Sequence, residues 1–141
     1  MMRQKLNLIT LGVHDLERSV AFFEGLGWKK SEASVDSLAL FPLGGMVLAL
    51  HPWNDLAEDA TVSGQGSGFA GITLSYNARS EQEVIDVLKQ VQELGATIIK
   101  AAQKVYWGGF SGYFKDFDAH LFEVAYNPFW ELDKDDNLLL L

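Results

Sequence analysis

Two stretches of this chain spell the same unit. Ile9-Thr10-Leu11 returns as Ile72-Thr73-Leu74, and the Leu26-Gly27 pair that closes one helix returns as Leu94-Gly95 at the close of another. Met46 to His51 holds in the first half the place that His120 to Ala125 holds in the second. Such a repeat limits the fold more than local propensity does, because each copy must be one supersecondary block. Both copies read as a strand, a helix and three further strands.

In the first copy, Leu6 to Val13 alternates as a strand, with Ile9, Leu11 and Val13 on one face and Leu6, Leu8 and Thr10 on the other. Asp15 is placed to cap a helix over Leu16 to Glu24, whose Leu16, Val20 and Phe23 share a stripe. Gly25 and Gly27 end it. Trp28 to Ala33 and Ser37 to Phe41 read as strands, and Pro42 to Gly45 as a turn. Met46 to His51 is the next strand, with Leu48 and Leu50 facing one way and Val47, Ala49 and His51 the other. Trp53 to Gly68 breaks the pattern and reads as a flexible connector by composition.

The second copy restarts at Ala70 to Asn77, a strand with Ile72, Leu74 and Tyr76 on one face and Gly71, Thr73 and Ser75 on the other. Ser80 and Glu83 form a capping box. The helix behind it carries Val84, Val87, Leu88, Val91 and Leu94 at helical spacing, and Gly95 stops it. Ala96 to Lys100 is a strand, Gln103 to Trp107 a further piece, and a hairpin completes the copy. Each half thus offers a four-stranded sheet with one helix on one face, and the open faces must be covered. The expected fold class is α+β: two tandem βαβββ modules forming a cupped mixed sheet around a cleft. The expected layout is one domain, with modules over about residues 5–53 and 70–128, a connector over 54–69 and a docked tail over 129–141.

Composition narrows the partners. A net charge of -8 argues against a nucleic-acid surface, which needs a basic stripe. The acidic run Asp133 to Asp136 reads as solvated surface. With no cysteine there are no disulfides and no thiolate metal ligands. The start, MMRQKLNLIT, does not read as a signal peptide, and no apolar run reaches the roughly 18 residues of a membrane span. The expectation is a soluble, cytoplasmic protein with no nucleic-acid or membrane partner.

The most informative stretch is Tyr106 to Pro128, YWGGFSGYFKDFDAHLFEVAYNP, a hairpin with a glycine- and aromatic-rich lead-in. In its last strand His120, Phe122, Val124 and Tyr126 point one way, while Ala119, Leu121, Glu123 and Ala125 point the other. Glu123 is a lone carboxylate among small apolar neighbours. Burying one is costly unless something pairs with it or uses it.

LITLGVHDLERSVAFFEGLGW near the start and WGGFSGYFKDFDAHLFEVAYNP near the end resemble the vicinal oxygen chelate superfamily of glyoxalases, bleomycin-resistance proteins and extradiol dioxygenases. The resemblance covers nearly the whole chain. One turn departs from it: the family's Asp-Pro-Asp-Gly stands here as Asp116-Phe117-Asp118-Ala119. An alanine where glycine supplied a positive φ costs about 1 kcal/mol or shifts the turn. The resemblance implies paired modules around a site, a small-molecule ligand and a homodimer. In metal-dependent relatives four sheet positions supply His, Glu or Gln ligands to a divalent ion. Those positions fall here on Leu8, Ala49, Gly71 and Glu123, and only Glu123 can ligate. The expectation is therefore no metal and no cofactor.

By parity the ligand-facing side also carries Thr10, His51, Thr73 and Ser75. Trp107, before Gly108-Gly109, and Tyr113 are placed to line a cleft mouth or to be ordinary core. Glu123 is either the acid/base of a metal-independent enzyme of lyase or isomerase type, or a carboxylate tied to a hydroxyl such as that of Thr73. The ligand-binding candidates are His51, Thr73, Trp107, Tyr113, Leu8, Ala49 and Gly71. A non-catalytic protein that sequesters a drug-like molecule fits the same residues. A more distant option is a divalent-metal lyase or dioxygenase using His51 and Glu123. His14 reads as a loop residue and His120 as structural.

Overall fold

The computed structural model describes residues 1–140, and the chain forms two compact units, Met1–Gly68 and the part from Phe69 on. The tail residue Leu141 lies outside the described residues.

The first unit opens with strand β1 (Leu8–Val13) and helix α1 (Leu16–Gly25), followed by β2 (Ala39–Pro42), β3 (Val47–Pro52) and a short helix α2 (Trp53–Asp59). Its sheet has three strands in the order β1-β3-β2. β1 runs parallel to β3, with Thr10 beside Ala49 and Gly12 beside His51, and β2 runs antiparallel on the far side. The Asp15 carboxylate accepts the Arg18 N–H at 3.1 Å and starts α1. α1 buries Ser19, Phe22 and Phe23. Phe23 meets Trp28 and Phe41 with ring centroids 5.0 and 5.7 Å away. Phe41, Leu48 and Ile9 share one row of the sheet, so this aromatic cluster marks the α1 face.

Two expectations fail in this unit. Trp28 to Ala33 is not a strand. The Ser31 hydroxyl accepts the Ala33 N–H at 3.0 Å and the Ser34 hydroxyl accepts the Leu40 N–H at 2.9 Å. Serines that bond nearby backbone compete with a ladder, and here they win. The module sheet consequently has three strands, not four. The connector is also more ordered than its composition suggests. Trp53, Leu56 and Ala57 sit at helical spacing, and the Trp53 and Leu56 side chains lie 3.3–3.4 Å from where a Cβ on Gly12 would be. The Trp53 indole N–H donates to the Gly64 carbonyl at 2.7 Å, which ties the following segment back to α2. His14 stacks on the same indole at 4.7 Å.

The second unit runs β4 (Leu74–Asn77), α3 (Glu81–Glu93), β5 (Thr97–Lys104), β6 (Phe110–Lys115), β7 (Leu121–Tyr126) and a tail hairpin of β8 (Glu131–Leu132) and β9 (Leu138–Leu139). The main sheet has the order β4-β7-β6-β5, with β4 parallel to β7 and the other pairs antiparallel. α3 buries Val84, Leu88 and Val91. The Ser80 hydroxyl accepts the Glu83 N–H at 3.0 Å, and Glu83 reaches back to the Arg79 N–H rather than to that of Ser80 itself. Strand β4 is half its expected length. Gly71 takes a φ of +78°, so Gly71 and Thr73 precede the strand instead of belonging to it. Thr97–Lys104 is one continuous strand with two register shifts, not two pieces.

The β6–β7 turn is held by one buried carboxylate. Asp116 accepts the N–H groups of Asp118 and His120, each at 2.9 Å, through Oδ1, and meets His120 Nδ1 at 2.7 Å through Oδ2. Ala119 follows with a φ of +65°, so the alanine keeps the left-handed conformation instead of shifting the turn. Exposed Ala119→Gly should therefore stabilise the protein by about 0.5–1 kcal/mol in urea unfolding, the strain relieved outweighing the extra freedom of the unfolded chain. A destabilised variant would contradict this account.

The acidic run is not simply solvated. The Asp133 carboxylate accepts the N–H groups of Asp135 and Asn137 at 2.8 and 2.9 Å and builds the β8–β9 turn. Those N–H donors, Asn137 foremost, hold its carboxyl below the usual range. Arg79 pairs with Asp136 at 2.6 Å and donates to the Asp133 carbonyl at 2.7 Å, fastening the tail hairpin beside the start of α3. Among the described residues no helix is long and apolar enough to cross a membrane.

Candidate functional site

The face of the second sheet opposite α3 follows from register alone. Phe122 lies between Leu74 and Phe114 in one row, and its ring stacks on that of Phe114 with centroids 4.8 Å apart. Alternation then puts the next row, Ser75, Glu123 and Tyr113, on the other face. These three stand side by side across β4, β7 and β6. The Ser75 hydroxyl donates to Glu123 Oε1 at 3.0 Å, and the Tyr113 phenol donates to Oε2 at 3.2 Å. Each carboxylate oxygen thus has one hydroxyl donor and room for more, since a carboxylate offers about four acceptor directions. Desolvation first, then the charge of Glu123 and the hydrogen bond to it, push the Tyr113 phenol above its ordinary pKa. Tyr113 therefore stays a protonated donor at neutral pH.

Beside this row lies a hollow of about 330 Å³, lined by Asn77, Trp107, Glu123, Ala125, Asn127 and Trp130. Asn77 and Ala125 are the next row of the same sheet face. Trp107 comes from the β5–β6 loop, where the Gly108 N–H donates to the Val105 carbonyl at 3.0 Å and the Val105 N–H to that of Gly109 at 3.0 Å. A Cβ on Gly109 would sit 1.7 Å from the Trp107 ring, so the indole packs directly against that glycine. Phe129 packs over Gly108 in the same way, 2.8 Å from where its Cβ would be. Trp130 arrives from the tail that Arg79 fastens.

A second hollow, of about 430 Å³, lies between β4, the start of α3 and the tail hairpin. It is lined in part by Tyr76, Arg79, Glu83 and Asp136, which bond one another. Burial, then the hydrogen bond to Glu83, push the Tyr76 phenol up to about 12.

The residues singled out by sequence are distributed as follows. Glu123 and Tyr113 are bonded to each other, and Trp107 lines the hollow with Glu123. Thr73 and Gly71 are exposed and precede β4, and it is Ser75, not Thr73, that bonds Glu123. Leu8 lies beside Val47 and is about half exposed, whereas Ala49 is fully buried beside Thr10. His51 in the first unit donates from Nδ1 to the Ser37 carbonyl at 2.6 Å. His120 is bound to Asp116, as a structural role requires. Asp116, Asp118 and His120 have ligand atoms within 4.8 Å of one another, but both Asp116 oxygens already serve the turn. Sequence reasoning missed Asn77, Asn127 and Trp130, and it put Ala125 on the Glu123 face without naming it a candidate. Continuing the alternation from Ser75 finds Asn77. Trp130 closes a turn by donating its N–H to the Asn127 carbonyl at 3.2 Å, but no periodicity aims its ring.

Comparison with known proteins gives these folds a context. A family model of the glyoxalase/bleomycin resistance protein/dioxygenase superfamily matches residues 5–124. The structure of a glyoxalase-related enzyme from Fulvimarina pelagi superposes with a TM-score of 0.89 at 32% identity, over 98% of this chain and 99% of that one. The fosfomycin resistance protein FosX from Listeria monocytogenes does so with a TM-score of 0.70 at 25% identity, over 91% and 97% of the two chains. In sequence, the metallothiol transferase FosB of Lysinibacillus sphaericus (strain C3-41) is 29% identical over 124 residues, 85% of this chain and 80% of that protein. With the match running over both strand–helix–strand units and taking in Glu123, the chain belongs to the glyoxalase/bleomycin resistance protein/dioxygenase superfamily.

Proposed function

We propose that this glyoxalase-like protein takes a small molecule into the hollow beside Glu123, without a resident divalent ion, and that Glu123 acts as its acid/base. The observation that carries this reading is the row Ser75–Glu123–Tyr113 at the edge of an aromatic-lined hollow. A carboxylate with two hydroxyl donors beside an open, aromatic-lined hollow is placed to exchange a proton with a guest. A metal ion does not fit the residues at the family's ligand positions. Leu8, Ala49 and Gly71 bring no donor atom, and the Glu123 carboxylate alone does not make a divalent site.

The lining favours one alternative. Asn77, Trp107, Ala125, Asn127 and Trp130 include neither a nucleophile nor a cation for a developing oxyanion. Binding without turnover, as in sequestration of a drug-like molecule, therefore stands as the second reading. The two share one test. Small carbonyl and aromatic compounds are screened by thermal shift against chelator-treated protein and against Glu123→Gln, and each hit is followed for conversion. Glu123-dependent shifts that survive chelation support the proposal, and conversion selects the enzyme over the binder. Equal shifts for both proteins with every hit would make Glu123 structural. A stoichiometric ion whose removal abolishes binding would overturn metal independence.

We also infer a homodimer in a soluble, cytoplasmic setting. Members of this superfamily bind small molecules and often dimerise. Leu6, Phe69, Ile72 and Leu140 are each more than 60% exposed in the single chain, which a partner copy would cover. Sedimentation velocity at micromolar concentration should give twice the chain mass. A monomer there would defeat the inference.

A further inference from the structure

We propose that the Glu123 hollow selects a small organic cation, an alkylammonium or quaternary ammonium ion. This deepens the reading above and rests on it. The charge of the lining decides the class. Among its six residues Glu123 carries the only formal charge, and no lysine, arginine or histidine is present. A carboxylate or phosphonate ligand would meet a like charge there with nothing to offset it. A neutral ligand would leave the Glu123 charge without a counterpart.

The aromatic residues point the same way. Two indoles, Trp107 and Trp130, share the hollow with one carboxylate. Indole faces attract cations through the ring quadrupole, and tryptophan does so best. Trp107 is held in place by its seat on Gly109 and does not need ordering when a guest arrives. Trp130 is half exposed, so part of its ring is open to a guest. Ser75 and Tyr113 occupy one acceptor direction on each Glu123 oxygen and steady the carboxylate, leaving the others free for an alkylammonium N–H, while a quaternary ion, which has none, is held by the charge and the ring faces alone. The volume, about 330 Å³, suits a compact cation. The net charge of -8 further raises the local concentration of any cation around the protein.

The test uses the full chain and indole N–H signals in nitrogen–proton correlation spectra, assigned by single tryptophan substitutions. Tetramethylammonium and butylammonium chlorides are titrated at constant ionic strength, with butanol as the neutral probe and sodium butyrate as the anion. Both cations should move the Trp107 and Trp130 signals saturably, with butanol and butyrate at least tenfold weaker. Glu123→Gln should weaken tetramethylammonium about tenfold, and Trp130→Leu about fivefold. Trp130 is partly exposed, so its loss leaves the fold intact and keeps the test open if the Gln variant folds poorly. Butyrate or butanol binding as well as the cations would overturn the assignment while leaving the hollow a binding site. So would equal tetramethylammonium affinity in Glu123→Gln, or no probe moving either signal. Failure of the underlying reading is scored separately, with the two cations added to the thermal-shift screen: no Glu123-dependent shift from any compound, charged or neutral, defeats it.

Discussion

Gly112→Ala should destabilise the protein by about 2–3 kcal/mol, lowering the melting temperature by about 6–12 °C for a chain of this size. Gly112 sits in β6 beside the fully buried Val124, and it is itself buried. A Cβ there would lie 2.6 Å from the Leu88 Cδ1 atom and 2.7 Å from the Lys100 carbonyl oxygen. The leucine tip can swing aside. The carbonyl cannot, because it belongs to the irregular stretch where β5 slips register against β6 between Ile98 and Gln103. Either that bulge must move or the sheet must part, and overpacking of this kind is costly. Gly45→Ala is the control, since nothing lies within 4 Å of the added atom and the change should stay within about 0.5 kcal/mol. Differential scanning calorimetry compares the two. A Gly112→Ala variant as mild as the control would mean that α3 and the bulge are looser than they stand here.

How much of this was legible beforehand depends on which physical rule was in play. Period-two alternation set Glu123 and Ala125 on one face, and alternation does not depend on which residues pair across strands; that Tyr113 of the neighbouring strand joins them comes only from the β6–β7 register. Register was harder. The echo of Ile9-Thr10-Leu11 in Ile72-Thr73-Leu74 aligns Thr10 with Thr73, yet Thr10 stands beside Ala49 and it is Ser75 that stands beside Glu123. The letters are therefore two residues out of step with the sheet. The error kept the face and lost the partner. Helix α2 hid inside an acidic, glycine-rich segment whose average outweighed the Trp53-Leu56-Ala57 spacing. The failed strand at Trp28 to Ala33 turned on two serine hydroxyls, which a β-propensity reading does not weigh. Trp130 was out of reach for a different reason. A local turn carries it, its N–H donating to the Asn127 carbonyl at 3.2 Å, but the walls it shares the hollow with, Asn77 and Trp107, lie far from it in sequence.

Asp116→Ala should cost about 2–4 kcal/mol in urea unfolding, and Asp116→Asn about half as much. The carboxylate is buried, with a side chain only 6% exposed, and its two oxygens serve three donors. Alanine removes all three bonds and strands the Asp118 and His120 N–H groups in a part-buried turn. Asparagine keeps an oxygen for those two donors and loses the charge opposite His120. The ordering of the two variants separates the turn bonds from the contact with the His120 ring, which a single substitution would confound. The consequence reaches the site, because this turn joins β6 to β7 and sets their register. A slip of one residue would turn Glu123 toward α3 and break its bond to Tyr113. The nitrogen–proton spectrum of Asp116→Ala should then show the Trp107 indole signal broadened or split, since its hollow loses one wall. An Asp116→Ala protein of unchanged stability with a sharp Trp107 signal would show that the strands keep their register without the carboxylate, and that Glu123 is placed by the sheet alone.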